Sequence, residues 1–343
     1  MRSDSLIILK GRDIAALLDG REAELLAIIE RAYRTHAAAG ESSLPHSVFL
    51  RFPRNPANRI IALPAWLGDG FQIAGVKWIA SFPANIQTGM DRASGVLILS
   101  SAQTGAPEAV LEGSVVSAKR TAASAALAAL HLYGSRPPSS VGLIGCGVIN
   151  FEIARFLRTA YPELQRFCIA DMNLDRASQF RAKLQAEFDR IEVSTCSDNR
   201  LILEQCRLIS LATNAAAPHI HDLSPCHPET VILHVSLRDI APHAILECDN
   251  YVDDVDHVCR AATSIHLAEQ LQASRDFITG TLGQVLQRPQ DRQNRAHRVT
   301  IFSPFGLGIL DLAVGQFVLR IGRDEGRTIE IPSFLPQPWA ETA

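Results

Sequence analysis

Apolar positions along the chain change their period twice, and the changes mark out its architecture. Over residues 13–40, Leu25, Ile28, Ile29, Ala32 and Tyr33 recur at the spacing of an amphipathic helix, and Asp13 stands where an N-cap would. Over residues 47–99 the pattern breaks into the short runs VFLRF, RIIALPAWL, VKWIASF and GVLILS, separated by Pro, Gly and Asn, which predict strands of an antiparallel or mixed sheet. Residues 114–133, SVVSAKRTAASAALAALHLY, are Ala-rich without Gly or Pro and predict one long helix ended by Gly134. SRPPSS then reads as a linker. Beyond it VGLIG, RFCIAD, RLISLAT and VILHVS alternate with helical segments, the signature of a parallel sheet wound by helices. Near the end, VTIFSPFGLGILDLAVGQFVLRIG predicts a strand, a Gly-containing turn and a helix that returns to the first domain.

A chain of 343 residues is long for one core, so two domains are expected. With 47% hydrophobic and 20% charged residues it has a globular balance, and a net charge of −3 without a basic run argues against a nucleic-acid partner. Seven cysteines include no CxxC pair and read as reduced thiols. The opening MRSDSLIILKGRD is broken by Lys10, Arg12 and Asp13 and lacks a signal-peptide core, and the apolar stretch 122–133 is too short to span a bilayer. A cytoplasmic protein without a membrane partner is expected.

The segment VGLIGCGVINFEIARFL sets Gly145 and Gly147 after a strand and before an amphipathic helix. In that context Gly145 permits the tight turn, and Gly147 lets the backbone approach a pyrophosphate at the helix N-terminus, where Val148 and Ile149 begin the helix. The third position of the fingerprint is Asn150, which predicts looser packing of helix on strand. Asp171, ending the next strand, is placed to accept ribose hydroxyls and to repel a 2′-phosphate, favouring NAD. Ala212 and Thr213 end a later strand, on the nicotinamide side. A plain tight turn without a ligand is the competing explanation of the two glycines.

Lys77 interrupts an apolar strand, so it is either an acid–base or water-activating group of lowered pKa or an edge lysine reaching solvent. Arg120 lies among small residues early in the long helix and could bind a carboxylate bidentately or make a domain-interface salt bridge. Arg51, Arg59 and Arg92 lie in or beside strands of the same domain; each alone is as consistent with a surface position as with a ligand. Asp239 follows a strand of the second sheet at its carboxyl end and could exchange a substrate proton. His219, His221, Cys226 and His227 cluster without metal-ligand spacing, and no metal is expected.

At GVKWIASFPAN, SAKRTAA, LIGCGVI and SPFGLGILDL the chain resembles the ornithine cyclodeaminase/mu-crystallin family, through nearly its whole length. NRIIALP, MDRASGVLIL, YVDDVDHVCR and TLGQVL resemble the branch of that family that makes 2,3-diaminopropionate. The resemblance implies an α/β fold: a Rossmann-type doubly wound parallel sheet, residues 120–308, inserted in a discontinuous α+β substrate and dimerisation domain, residues 1–119 and 309–343. It implies a homodimer with NAD held by Gly145, Gly147, Val148, Ile149, Asp171, Ala212, Thr213 and Ser303. Lys77 and Asp239 become the catalytic pair. Arg120 holds a substrate carboxylate, Arg92 an additional one, and Arg51 and Arg59 complete an arginine-rich pocket. The implied reaction oxidises N-(2-amino-2-carboxyethyl)-L-glutamate with NAD. Water activated near Lys77 adds to the resulting imine, Asp239 manages the amine proton, and 2-oxoglutarate, 2,3-diaminopropionate and NADH are released. Cyclodeamination of ornithine to proline, and a ketimine-reducing or nucleotide-binding role of the mu-crystallin kind, are the alternatives.

Overall fold

Residues 4–287 and 298–337 are described by a computed structural model, in two units. The first comprises Met1–Arg21, Thr35–Arg120 and Leu307–Ala343, and the second Glu22–Arg34 and Thr121–Gly306. The helix Gly113–Leu132 carries the chain from one into the other and ends before Gly134, whose φ of +116° suits glycine.

The first unit is built on one sheet in the order Ile329–Ile331, Leu6–Leu9, Pro107–Glu112, Ala93–Ser101, Ile73–Ser81, Asn55–Leu67, Ser42–Ser43, with Val48–Phe52 also paired to Asn55–Leu67. Leu6–Leu9 and Pro107–Glu112 run parallel; every other pair is antiparallel. Side chains alternate between faces, so Ile73, Lys77 and Ser81 are buried while Trp78 is exposed. The apolar helix Gly308–Asp324 covers the buried face. Close approach requires its glycines: a Cβ on Gly308 would lie 3.0 Å from the Leu63 carbonyl oxygen, and one on Gly315 would overlap the Leu97 side chain.

The N-terminal segment differs from its prediction. It forms two helices, Gly11–Leu18 and Glu22–Ala37, because Gly20 takes φ +71° between them. Asp13 caps neither; it lies in the first turn of a helix whose N-cap position is Lys10. The part Glu22–Arg34 belongs with the second unit rather than the first. Tyr33 Oη lies 2.7 Å from Ser124 Oγ, and Arg155 pairs with Glu22 at 3.4 Å.

The second unit carries an eight-stranded sheet, all parallel, in the order Glu192–Thr195, Arg166–Ala170, Val141–Ile144, Leu208–Leu211, Val231–His234, Thr300–Ser303, Asp249–Val252, Ile278–Thr281. The central strands are apolar and buried on both faces, as a sheet with helices on each side requires. From Val141–Ile144 the chain winds outward to Arg166–Ala170 and Glu192–Thr195, then returns to Leu208–Leu211 on the other side. The order reverses between Val141–Ile144 and Leu208–Leu211. In such sheets ligands bind outside the carboxyl ends of the strands at this switch point.

Candidate active site

The turn after Val141–Ile144 stands at that switch point. Gly145 has φ +94°, and a Cβ there would lie 2.5 Å from the Ala212 carbonyl oxygen, so glycine is required by conformation and by space. At Gly147 a Cβ would meet nothing within 4 Å, and the helix Val148–Ala160 starts there without a side-chain cap. Gly147 and Val148 are exposed and Ile149 is half-buried, leaving the first amides of the helix clear for an anion. Asn150, expected to loosen the packing, tightens it instead. It is fully buried, its Nδ2 donates to the carbonyls of Ile144 at 3.0 Å and Gly145 at 2.8 Å, and its Oδ1 accepts from Ser210 Oγ at 2.7 Å. The amide stitches the turn to two neighbouring strands.

Asp171 Oδ2 accepts the Cys146 N–H at 2.8 Å and Oδ1 the Asn173 N–H at 2.9 Å, which fixes its carboxylate beside the turn. Val148 at the helix start and Met172 next to Asp171 in the chain expose apolar side chains, suited to an adenosine. The vacant space at Gly147, the uncapped helix and the oriented carboxylate fit a dinucleotide. Arg176 lies 4.0 Å from Asp171 Oδ1. Asp171→Ala therefore removes a repelling charge and frees a cation together. The NAD-over-NADP preference, read from dissociation constants, is expected to fall on the order of tenfold or more. An unchanged ratio would remove Asp171 from cofactor choice.

Beyond Leu208–Leu211, the strand beside Val141–Ile144, Ala212 N donates to the Ile144 carbonyl at 3.0 Å, and Thr213 Oγ1 donates to Asp239 Oδ1. Asp239 is fully buried. Its Oδ1 also meets His219 Nε2 at 3.1 Å, and its Oδ2 accepts from Ser236 Oγ. The Asp239 amide donates to His234 Nε2 at 3.1 Å. Burial opposes ionisation, but the hydrogen bonds from His219 and Ser236 and the neighbouring His234 ring prevail and hold the Asp239 carboxyl well below its ordinary range. Ser303 lies behind this network: it is buried, with its hydroxyl 3.3 Å from His234 Nδ1, and presents no surface to a ligand. The sequence pointed to His219 only as a rejected metal ligand, and His234 and Ser236 carried no signal there.

In the first unit Lys77 is no edge lysine. It is 2% exposed, and its Nζ donates to Asp311 Oδ2 at 2.7 Å and to Ser117 Oγ at 3.2 Å. Arg120 Nε donates to Asp311 Oδ1 at 3.1 Å and its Nη2 to Ser117 Oγ at 3.3 Å, which leaves the other guanidinium N–H groups for a ligand. Two cations thus share one buried carboxylate. Burial and the neighbouring Arg120 charge outweigh Asp311 and bring the Lys77 ammonium down to about 8. Asp311 was missed, although an acid in the first turn of the apolar GILDLAVGQFVL is a legible signal.

The other arginines also gather. Arg51 is directly opposite Arg59, Arg59 is opposite Ser81, and Ser81 Oγ accepts from Arg92 Nη1 at 3.3 Å. By register Arg51, Arg59 and Ser81 share the sheet face of Lys77, four residues or roughly 13 Å along the strand. None of the three guanidinium groups forms an ion pair among the described residues, and Arg59 Nε is buried without a partner. Burial, then the charge of Arg51, lowers the pKa of Arg59; burial, then Arg59, lowers that of Arg92. Like charges set opposite each other cost stability unless an anion joins them.

Among the described residues no group of three or more His, Cys, Asp or Glu side chains could hold a metal ion, and no helix is long and apolar enough to cross a membrane.

The ornithine cyclodeaminase/mu-crystallin family pattern matches residues 13–322. The chain is 25% identical over 280 residues to the N-((2S)-2-amino-2-carboxyethyl)-L-glutamate dehydrogenase of Staphylococcus aureus, covering 80% of this chain and 83% of that protein. It is 26% identical over 332 residues to an alanine dehydrogenase of Archaeoglobus fulgidus, covering 91% and 94%. The structure of Thermococcus litoralis Delta(1)-pyrroline-2-carboxylate reductase with NADH and L-proline superposes with a TM-score of 0.87 at 20% identity, over 95% of this chain and all of that one.

Proposed function

The chain belongs to the ornithine cyclodeaminase/mu-crystallin family, and from that premise we propose that it is an NAD-dependent dehydrogenase of N-(2-amino-2-carboxyethyl)-L-glutamate, releasing 2,3-diaminopropionate and 2-oxoglutarate. The carrying observation is a set of three arginines without carboxylate partners, Arg51 and Arg59 on the Lys77 face of the first sheet and Arg92 bonded to Ser81 on that face. This substrate has three carboxylates, whereas ornithine has one and adds an ammonium that such a set repels.

NAD would be held by Gly145, Gly147, the amides of Val148 and Ile149, and Asp171, and when bound it supplies the acceptor for the hydride lost by the amino-acid carbon. The chain's own residues bind and move protons. Arg120 and the three-arginine set hold carboxylates. Lys77, neutral in part near its pKa of about 8, takes a proton from the water that adds to the imine carbon. The Asp239 network serves the substrate nitrogen. Initial rates of NADH formation across a panel of the glutamate conjugate, ornithine and alanine test the assignment. It requires the conjugate to be the best substrate, and fails if either simple amino acid is better.

We also propose that the chain dimerises through the uncovered face of its first sheet. Val48, Ala62, Trp78 and Val96 form a cross-strand row there, with Val48 64%, Trp78 41% and Val96 37% exposed, and Leu50 adds a further 45% exposed side chain. A contiguous apolar face of this kind is the mark of an interface. Light scattering is expected to give twice the 37.4 kDa chain mass, and Trp78→Glu to give a monomer. A monomeric unaltered protein would contradict the assignment.

A further inference from the structure

We propose that His219 is the group that exchanges the proton of the substrate nitrogen, and that Asp239 is a positioning residue acting through it. The proposal rests on the dehydrogenase reading for its substrate and on the second unit alone for its geometry.

Asp239 cannot readily do the exchange itself. Its carboxylate is fully buried, and both oxygens already accept from the chain: Oδ1 from Thr213 and His219, Oδ2 from Ser236. A carboxylate so satisfied is an acceptor that stays ionised, and taking a ligand proton would break bonds it already makes. Because an ionised carboxylate only accepts, the His219 Nε2 facing it must carry a hydrogen. In a neutral ring that leaves Nδ1 as a bare lone pair.

Nδ1 has no hydrogen-bond partner among the described residues, and the His219 side chain is 37% exposed while that of Asp239 is 0% exposed. The ring is held from its own backbone as well. The amides of His219 and Ile220 both donate to the Asp239 carbonyl at 2.9 Å, and Ile220 bridges Ile240. Thr213, the third member, lies two residues beyond Leu208–Leu211, so the pair stands at the carboxyl end of a switch-point strand. An imidazole oriented by a buried carboxylate, with its second nitrogen open, is the arrangement of a general base that becomes an acid later in the cycle.

The substrate nitrogen enters as a secondary ammonium. His219 Nδ1 takes one proton from it, which frees the lone pair that becomes the C=N bond as the carbon is oxidised by the NAD of the proposed reaction. After water has added and given up a proton to Lys77, His219 returns its proton to the nitrogen as the C–N bond breaks, the bonding pair going to nitrogen. The carbonyl of 2-oxoglutarate forms with loss of the hydroxyl proton. The released amine takes up one proton from solvent, so that across the cycle one water is consumed and one net proton is released.

Two readouts test this. The first needs no turnover: ring nitrogen shifts in the NAD-free protein, with the His219 signal identified by its loss in His219→Gln, are expected to show the hydrogen on Nε2 and bare Nδ1 in the neutral ring. A hydrogen on Nδ1 overturns the proposal, whatever the substrate proves to be. The second is kinetic. His219→Gln is expected to lower kcat on the order of 100-fold while KM and NAD affinity move by no more than about twofold, and added imidazole is expected to restore part of the rate to His219→Ala. Near-normal kcat in His219→Gln, or no rescue of a folded His219→Ala, overturns it. If the unaltered protein ignores the glutamate conjugate yet shows the Nε2 hydrogen, the substrate assignment fails and the His219 geometry stands.

Discussion

Replacing Lys77 by Met is expected to lower turnover on the order of 100-fold or more, with little change in NAD affinity. The fold should tolerate it, because Asp311 keeps its bond to Arg120 and the buried carboxylate is not left without a cation. The rate of the unaltered enzyme should rise with pH through about 8, where the Lys77 ammonium gives up its proton and becomes able to accept one. That limb should be absent from the residual activity of Lys77→Met. The same titration bears on stability. The folded-state pKa lies below the unfolded one of 10.5, so between about 8 and 10.5 the unfolded chain binds more protons, and Lys77's contribution to stability improves as pH rises through that window. A pH–rate profile flat between these values, or near-normal turnover in the variant, would make Lys77 structural.

Removing single arginines from the three-arginine set should separate the substrates. Arg92→Ala and Arg59→Ala are each expected to cost about 1.5 to 3 kcal/mol in kcat/KM for the glutamate conjugate, the range for a lost hydrogen bond to a charged group. Stability should move the other way. Arg59 faces Arg51 directly and lowers the pKa of Arg92, so deleting it relieves repulsion in the ligand-free protein. A higher melting temperature together with weaker substrate use is the signature of a site that holds unpaired charge for a ligand. If Arg92→Ala leaves the conjugate unaffected and the enzyme uses ornithine well, the three-carboxylate substrate is wrong.

Much of this was legible because the signals were local. The fingerprint, its strand and its helix occupy one continuous segment, and the change from alternating to helical spacing marks the sheets and the Gly113–Leu132 helix directly. Lys77 announced itself as a charge inside an apolar strand. What escaped depended on partners far apart in sequence. Asp311 is joined to Lys77 across 234 positions, and His219 to Asp239 across 20 with no shared periodicity. The strands Leu6–Leu9, Glu192–Thr195 and Ile329–Ile331 are too short for a period to show, and are defined by their neighbours in the sheet. Asn150 taught a different lesson: in place of a small residue it supplies hydrogen bonds to the turn, so a departure from the fingerprint is compatible with a tight one.

The reaction itself gives the most direct test. Purified protein is incubated with N-(2-amino-2-carboxyethyl)-L-glutamate and excess NAD, and NADH, 2-oxoglutarate and 2,3-diaminopropionate are quantified together. The account predicts that all three appear in equal amounts over many turnovers, with no ammonia. Ammonia and proline formed from ornithine without net NADH, and none of the three products from the conjugate, would contradict it.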